Sequence, residues 1–293
     1  MTDISIVIVN FNNSKLLKDC LNSINTSTHK AGLDIILVDN ASKDDSVKMV
    51  KENFKGVRVI ENKENLGFIK ASNQGLRVAA GRYSMLLNDD TIVQDGAFDK
   101  MLEYMDKHKK VGAVGPKLLN VDRSAQRQGS ILGPKFWKLE HVKEVDFLVG
   151  ACLMVRKEAI EQAGILDENF LFYNDDLDWC RRIRKAGWKT IFYPEAHVIH
   201  YGGYSSTRKF NRRLFVEGFR GGLYFCRKHY GALAYIIYRI LLPVGLIFLA
   251  LTWIISFPFK PIEKKKEYPQ KFASLWEIFM IDLVGRVIPP RAI

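Results

Sequence analysis

The sequence has few cysteines, and none of them stands in a metal-binding or redox pattern. Four cysteines occur among 293 residues, with no Cys-x-x-Cys pair and no cysteine or histidine at zinc-finger spacing. This usage argues against a disulfide-rich secreted domain and predicts a reducing, cytosolic setting with thiols as small core residues. The N-terminus also lacks a charged and then apolar leader, because the apolar run at residues 4–9 is short and leads into asparagines.

The glycine-rich loops that commonly hold nucleotide phosphates are missing as well. No Gly-x-Gly-x-x-Gly follows the first predicted strand, and no Walker-type loop occurs in the sequence. A diphosphate held by the backbone amides of such a loop is therefore not indicated. If the protein binds a diphosphate, another group must neutralise its charge, and this favours a metal site.

The chain carries a net charge of +12 with a pI of about 9.4, which predicts an anionic partner. Nucleic acid, anionic lipid and a phosphorylated substrate all satisfy that condition. The basic residues concentrate at 208–228 and 260–271, on either side of a long apolar run. This placement favours a membrane surface over nucleic acid, for which basic and aromatic residues would be interleaved on the folded domain.

Short β-branched runs alternate with helical patterns through the first ninety residues. Strands are predicted at residues 4–9, 34–38, 57–60 and 83–87, with helices at 14–24, 42–53 and 65–79. Ser42-x-x-Asp45 has the form of a capping box that opens the second helix. The alternation predicts right-handed crossovers and an α/β fold with a parallel sheet. Further strands are predicted at 111–115 and 189–193, whereas residues 117–144 follow no clear pattern.

Acidic side chains come directly after two of the predicted strands. Asn88, Asp89 and Asp90 follow the fourth strand, and Asp39 ends the second. Because parallel strands end at a common edge, these side chains are expected to share it. Carboxylate and amide oxygens suit a hard divalent cation, although a polar turn that caps the strand explains the same residues. Asp39 is interpreted as a ligand of a nucleotide's ribose or base, or else as a turn residue ahead of a helix.

A second acidic cluster lies in the first turn of a predicted helix that Gly187 ends. Its members are Asp175, Asp176 and Asp178. Carboxylates commonly cap helix N-termini and favour the helix dipole. Three of them beside an aromatic run exceed what capping needs, and neighbouring acids can raise a pKa toward that of a general base. Farther along, His200 precedes two glycines, which makes it a better ligand candidate than His197.

The apolar run at residues 241–259 contains no charged side chain and is just long enough to cross a bilayer. A buried helix is the alternative, but the basic residues on both sides favour membrane contact. A single span places the lysines at 264–266 outside, against the positive-inside tendency. Pro243, Gly245 and Pro258 permit a re-entrant or in-plane helix, and residues 274–288 have the pattern of an interfacial helix.

In chain order, these motifs resemble the family 2 glycosyltransferases with the GT-A fold, and in particular the bacterial rhamnosyltransferase-like members that build surface polysaccharides. The resemblance covers about residues 3–205. The matching pieces are residues 5–12, 38–42, 65–68, 73–75, 87–91, 150–152, 164–168, 173–178 and 200–203. The sequence departs from the family pattern at Asn88, where an aspartate is usual, at Asp89, where many members have proline, and at Asp175, which replaces a glutamate.

The resemblance implies a role for each site residue. Asp90 and His200 are expected to bind Mg²⁺ or Mn²⁺, and Asp176 is expected to be the catalytic base, with Asp175 beside it. The residues expected to contact the donor are Val9, Asn10, Asn12, Asp39, Asn65, Asn73, Asn88 and Asp89. The implied reaction moves a sugar, with inversion, from a nucleotide-diphosphate sugar to a hydroxyl of an acceptor. dTDP-rhamnose is the donor suggested by the resemblance.

The expected architecture is a GT-A domain with a Rossmann-like, mostly parallel sheet at residues 1–230, followed by a membrane-associated helical segment at 231–293. The expected partners are the donor, a glycan or polyprenyl-diphosphate-linked acceptor and the inner membrane, at whose cytoplasmic face the protein is expected to act; no nucleic acid is expected. The alternative is a catalytically inactive nucleotide-sugar-binding module with the same fold, tethered to a membrane assembly.

Overall fold

The computed structural model describes residues 2–27, 30–128, 135–202 and 210–283. Gly203 and the last part of the predicted interfacial helix lie outside the described residues. The strands are β1 Ile4–Asn10, β2 Leu33–Asp39, β3 Arg58–Glu61, β4 Tyr83–Asn88, β5 Thr91–Val93, β6 Val111–Leu119, β7 Lys143–Glu144, β8 Cys152–Arg156 and β9 Lys189–His200. The helices are α1 Ser14–Thr26, α2 Ser46–Asn53, α3 Phe68–Val78, α4 Ala97–Lys107, α5 Lys157–Ala163, α6 Asp175–Lys185, α7 Arg212–Ser256, α8 Ile262–Lys265 and α9 Tyr268–Leu283.

The described chain divides into two compact units. The first comprises residues 2–168 and 175–202, and it contains the whole sheet. The second comprises residues 169–174 and 210–283. The buried cysteines Cys20 and Cys152 belong to the core of the first unit, which confirms the predicted role of these thiols.

The sheet begins with the predicted parallel block, in the spatial order β3-β2-β1-β4. β1 and β4 are buried along almost their whole length because helices cover both faces of a parallel sheet, which explains their continuous apolar runs. Beyond β4 the order continues β8-β6-β9-β5, and β8 is antiparallel to both of its neighbours. The mostly parallel α/β fold is therefore confirmed; β8 is antiparallel within it, and the short strands β5 and β7 both pair antiparallel with β9.

Two strands are longer than the sequence pattern predicts. β6 extends to Leu119 and β9 extends to His200, and the two pair in parallel across a register shift at Pro116 and Lys117. The pairing continues past Pro194, where the predicted strand ended. As a result, His200 lies within a strand, directly opposite Thr91 of β5.

The predicted capping box at Ser42 is wrong. α2 begins at Ser46, and its N-cap residue Asp45 makes no side-chain capping bond. The Ser42 hydroxyl instead accepts hydrogen bonds from the Asn10 side chain and from the backbone N–H of Asn12, at 3.0 and 2.9 Å. These partners lie about 30 residues away in the sequence, so a local four-residue pattern does not reveal them.

In the second unit, α7 is a hairpin and not one straight helix. Gly231 has φ 83° and ψ −176°, a conformation that breaks the helix and that glycine adopts without a steric penalty. The residues on either side form arm one (212–230) and arm two (232–256). The rings of Phe215 and Trp253 lie 5.9 Å apart, so arm two folds back along arm one.

Candidate functional site

The ends of β1, β2 and β4 are aligned by the register of the sheet. Asn10 pairs with Asp39 across β1 and β2, and Val9 pairs with Asn88 across β1 and β4. At about 4.8 Å per strand, Asp39 and Asn88 are separated by roughly 10 Å. The parallel strands therefore bring both predicted acidic segments to one edge, as expected from the sequence.

Asp39 is held tightly at this edge. One of its carboxylate oxygens accepts from Asn10 Nδ2 at 3.0 Å and the other accepts from the backbone N–H of Ser42 at 2.9 Å. Asp39 is only 3% exposed, and Asn10 is fully buried. Among the described residues the Asn10 Oδ1 atom has no hydrogen-bond partner. Asp39 and Asn10 are thus held in a fixed arrangement, and the buried acceptor atom Asn10 Oδ1 remains unsatisfied among the described residues.

The other predicted donor residues differ in how accessible they are. Asn12 is exposed, has φ 53° and accepts from the backbone N–H of Lys43. Asn65 Oδ1 accepts from Asn40 Nδ2 at 2.8 Å. Asn73 is fully buried and exchanges hydrogen bonds with both backbone groups of Leu166, at 2.9 and 3.1 Å. Asn73 therefore fastens α3 to a distant loop, and its predicted donor contact stays a prediction.

The predicted metal ligands meet at the turn between β4 and β5. His200 Nε2 lies 3.2 Å from an Asp90 carboxylate oxygen and 3.2 Å from the Asn88 amide nitrogen. The pairing of Thr91 with His200 produces this contact, and the backbone N–H of Tyr201 donates to Asp90 O at 3.0 Å. The fold thus joins two residues that are 110 positions apart.

Gln126 holds Nδ1 of His200, and no sequence pattern points to this residue. The Gln126 amide nitrogen donates to His200 O at 2.8 Å and to Asn120 Oδ1 at 3.2 Å, so its Oε1 faces His200 Nδ1, 2.7 Å away. Nδ1 must then carry a hydrogen, and Nε2 is the ring nitrogen that faces the Asp90 carboxylate. Gln126 lies in the segment without a clear pattern, where nothing local marks its role.

Asp90 Oδ1 and His200 Nε2 lie 3.2 Å apart, and the Asn88 amide nitrogen is within hydrogen-bond distance of the same Nε2. A carboxylate oxygen is a suitable ligand for Mn²⁺ or Mg²⁺. Among the described residues no three His, Cys, Asp or Glu side chains are grouped as a metal set. An ion held by Asp90 and His200 alone would complete its coordination with substrate oxygens and water, as Mg²⁺ commonly does.

Asp89, in the same turn, differs electrostatically from an ordinary surface aspartate. Burial, followed by the charge of Asp90, raises the pKa of Asp89 to about 7. A hydrogen bond from the Asn13 side chain acts in the opposite direction. Asp89 can therefore hold a proton near neutral pH and limit the negative charge of the turn.

The antiparallel strand β8 brings the second acidic cluster to the same edge. The backbone N–H of Asn88 donates to Ala151 O at 2.9 Å, and the neighbouring Gly150 N–H donates to an Asp176 carboxylate oxygen at 3.2 Å. The other Asp176 oxygen accepts from the backbone N–H of Leu177 at 2.8 Å. Asp176 is therefore oriented by backbone groups next to the end of β4.

Asp175 and Asp176 are buried neighbours whose carboxyl groups both hold a proton more readily than a free aspartate. Burial and the charge of Asp176 raise the pKa of Asp175 to about 7. Burial also raises the pKa of Asp176, while the N–H groups of Gly150 and Leu177 favour its ionised form. The two carboxyl groups can therefore share one proton near neutral pH.

The third acid of this cluster has a structural role. Asp178 is fully buried and pairs with Arg182 at 2.7 Å. Arg182 also donates to the carbonyls of Ala163 and Ile165. These contacts fasten α6 to the end of α5, and they account for one of the three acids by packing.

Two family models match the sequence. The model of Glycosyl transferase family 2 matches residues 5–164, more than half of the chain. The model of Glycosyl transferase family group 2 matches residues 85–259. The first match covers the aligned strand ends and the β4–β5 turn.

The chain is also similar to characterised proteins. It is 28% identical over 245 residues to the N-acetylglucosaminyl-diphospho-decaprenol L-rhamnosyltransferase of Mycobacterium tuberculosis, covering 71% of this chain and 79% of the relative. It is 24% identical over 223 residues to a low-salt glycan biosynthesis hexosyltransferase of Haloferax volcanii, covering 71% of this chain and 70% of the relative.

Solved structures with the same fold include two that contain nucleotide sugars. The mannosyltransferase of Pyrobaculum calidifontis, in complex with GDP-Man and Mn²⁺, has a TM-score of 0.64 and 14% identity, with 96% of this chain and 86% of that one covered. S. aureus TarS 1–349, in complex with UDP-GlcNAc, has a TM-score of 0.61 and 17% identity, with 94% and 80% covered. At these identities the likeness concerns the fold.

Proposed function

The chain belongs to glycosyl transferase family 2, and from that premise we propose that it transfers a sugar, with inversion, from a nucleotide-diphosphate donor to a hydroxyl of a lipid-linked glycan acceptor. It is a rhamnosyltransferase-like enzyme of hexosyltransferase type with the GT-A fold. The observation that carries the proposal is the position of Asp176, oriented by Gly150 beside the end of β4.

The chain's own residues suffice for the proton transfer. Asp176, ionised and held by two backbone N–H groups, accepts the proton of the acceptor hydroxyl. The hydroxyl oxygen forms a bond to the anomeric carbon as the bond from that carbon to the diphosphate oxygen breaks, and the electron pair leaves with the nucleoside diphosphate. Attack from the opposite face inverts the configuration. We propose that Asp175 carries the proton that the two carboxyl groups share, which limits the negative charge beside the base.

We propose that the donor's nucleoside lies along Val9, Asn10, Asn12 and Asp39, at the ends of β1 and β2. The unsatisfied Asn10 Oδ1 beside Asp39 supports this placement. The mycobacterial relative is named a rhamnosyltransferase, which supports rhamnose as the transferred sugar, and we propose dTDP-rhamnose as its donor form. The same relative acts on a polyprenyl-diphosphate sugar, and this supports a lipid-linked acceptor here.

We propose that Asp90 and His200 hold Mg²⁺ or Mn²⁺, with Asn88 and Asp89 at the donor side of the turn. The close approach of Asp90 Oδ1 and His200 Nε2 supports this assignment, and so does the Mn²⁺ in the mannosyltransferase complex. A bound ion supplies positive charge that stabilises the departing diphosphate. Gln126 holds Nδ1 of His200 and so orients the ring.

Replacing Gln126 by Leu is expected to weaken Mn²⁺ binding by roughly 10- to 100-fold, the usual effect of removing a group that orients a histidine ligand. The imidazole loses the acceptor for Nδ1–H and with it both tautomer and orientation. Titration with Mn²⁺, with the free ion followed by electron paramagnetic resonance, measures the change without any turnover. Gln94→Leu is the control, because the Gln94 amide donates to Ile92 O outside this cluster. Unchanged affinity in Gln126→Leu contradicts the positioning role.

We further propose that the protein acts at the cytoplasmic face of the inner membrane, with a catalytic domain at 1–230 and a membrane-associated segment at 231–293. The helix break at Gly231 supports a boundary there, although arm one packs with the C-terminal helices. Helix α7 with its short extension is long and apolar enough, within the described residues, to cross a membrane. Attachment to the membrane brings the enzyme close to a lipid-linked acceptor.

A panel of nucleotide sugars tests the proposed activity. One donor, with dTDP-rhamnose expected first, should raise the melting temperature in the presence of Mn²⁺ and less without it. The same donor should then be hydrolysed slowly, or transferred when a polyprenyl-diphosphate sugar is added. Stabilisation without hydrolysis or transfer indicates the inactive binding module, and no stabilisation by any donor contradicts both functions.

A further inference from the structure

The α7 hairpin contains an apolar arm, arm two, that can either cross a membrane or lie in its plane. We infer that the hairpin lies flat on an anionic bilayer, with the outer face of arm two buried among the lipid chains, and does not cross the membrane. The inference deepens the proposed membrane attachment, but it rests on contacts within the second unit and does not depend on sugar transfer.

The two arms lie side by side over most of their length. Phe215 contacts Trp253 near the open end of the hairpin, with ring centroids 5.9 Å apart. A methyl group added at Gly222 would lie 3.6 Å from the Tyr238 hydroxyl near the middle, and Arg227 lies over the Tyr235 ring near the bend. Arm one therefore lies along the inner side of arm two from the bend to the open end of the hairpin.

Arm two has two sharply different faces. Its inward residues recur every three or four positions and pack on arm one and α9; they include Tyr235, Tyr238, Leu242, Leu246, Leu249 and Trp253. Apart from Thr252, the large side chains that arm two exposes are apolar; those at least half exposed include Leu233, Ile240, Val244, Ile247, Phe248 and Ile255. From Leu233 to Ile255 this outer face extends about 33 Å at 1.5 Å per residue. A continuous apolar surface of this size marks an interaction site.

Arm one argues against a membrane-crossing orientation of arm two. It carries charged residues from one end to the other, including Arg212, Glu217, Arg220 and Lys228. Glu217 and Arg220 pair with each other, and Arg212 pairs with Glu277 of α9. If arm two crossed the bilayer, arm one beside it would place all these charges within the hydrocarbon layer, where ionised side chains are strongly disfavoured. A flat orientation keeps arm one outside the lipid chains.

The charges around the outer face favour an anionic bilayer as the occupant. Arg227 and Lys228 lie at the bend, and Lys260 with the lysines at 264–266 follows the far end of arm two. Phe259 and Trp276 add strongly exposed aromatic rings at that end. Basic residues at both ends of an apolar face are typical of helices in the plane of an anionic membrane surface. A second copy of this positively charged chain would meet repulsion between these same ends.

Vesicle binding of the full chain tests the attachment. The chain should sediment with vesicles that contain phosphatidylglycerol and less with pure phosphatidylcholine, without donor or metal. Replacing Ile247 and Phe248 together by Glu should reduce binding at least ~10-fold, since two exposed apolar side chains lose their burial in lipid. The matched control replaces Val78 and Val121, exposed apolar residues of the first unit, by Glu and should bind as the parent. Equal binding by both variants overturns the inference, as does dimer formation in solution with no vesicle binding.

Depth measurements separate the flat from the crossing orientation. Spin labels are attached to single cysteines at Leu233, Val244 and Ile255, one at a time, in a chain with Cys226→Ser. All three positions belong to the outward face and are spread along its full length. A flat helix gives nearly equal depths at the three positions. A deep centre at Val244 with shallow ends at Leu233 and Ile255 indicates a crossing helix and overturns the inference.

Discussion

Replacing Asp176 by Asn is expected to reduce kcat by about 10²- to 10⁴-fold, the usual contribution of a general base. The amide keeps nearly the same shape but cannot accept the proton of the acceptor hydroxyl. Because the predicted nucleoside and metal residues remain unchanged, the affinity for the nucleotide sugar should stay close to that of the parent. Single-turnover transfer measures the chemical step, and calorimetric titration of the donor with Mn²⁺ measures the affinity.

Asp146→Asn is the matched control for that substitution. Asp146 is exposed and pairs with Arg184 near the end of the same helix α6, so its replacement removes one carboxylate close to α6 without reaching the strand ends. Its kcat should be within about twofold of the parent, as expected for an exposed ion pair worth less than about 1 kcal/mol. Normal turnover by Asp176→Asn would refute the assignment of the base.

Replacing Asp90 by Ala is expected to abolish the dependence of donor binding on Mn²⁺ and to lower kcat/KM by roughly 10²- to 10³-fold. The estimate follows from the several kcal/mol that a bound ion contributes to stabilising transition-state charge, at about 1.4 kcal/mol per tenfold. Asp90 supplies the carboxylate that faces His200 Nε2 at 3.2 Å. Without it, the proposed metal site loses the carboxylate ligand that accompanies the imidazole. The shift in melting temperature with donor, measured with and without Mn²⁺, reports the loss independently of turnover.

Asp45→Ala is a suitable control for the Asp90 variant. Asp45 is an exposed aspartate of the same unit, and its side chain makes no capping bond to α2. Its Mn²⁺-dependent stabilisation by donor should match that of the parent. If Asp90→Ala keeps the full Mn²⁺ effect while Asp176→Asn loses activity, the metal assignment is wrong and the base assignment stands.

Much of the candidate site could be predicted from the sequence because its determinants are local. Continuous apolar runs mark buried parallel strands, and the polar residues that follow them must lie at the edge where such strands end. Asp39 and Asp90 are on one edge for this reason, and the register of β1 with β2 and β4 confirms it. The acids of α6 in the first helical turn were likewise predictable from the apolar spacing behind them.

Other features depended on contacts between distant segments, which no local pattern encodes. Ser42 has the spacing of a helix cap, yet its hydroxyl accepts a hydrogen bond from Asn10 of β1. Asp178 belongs to the same acidic cluster as Asp176, yet it is fastened to Arg182 within the core. Gln126 lies in a segment with no periodicity, and its role depends on His200, 74 positions away. In each case the competing partner becomes available only after the chain has folded.

By itself, the sequence determined the alternating α/β order, the edge to which the acids belong and the apolar, base-flanked character of the C-terminal region, since composition and periodicity act along the chain. The tertiary structure decided that Asp178 pairs with Arg182, how His200 is oriented and that α7 folds back at Gly231. Those outcomes depend on which side chains meet across long sequence separations, where hydrogen bonding and burial select one partner from several of the same chemical type.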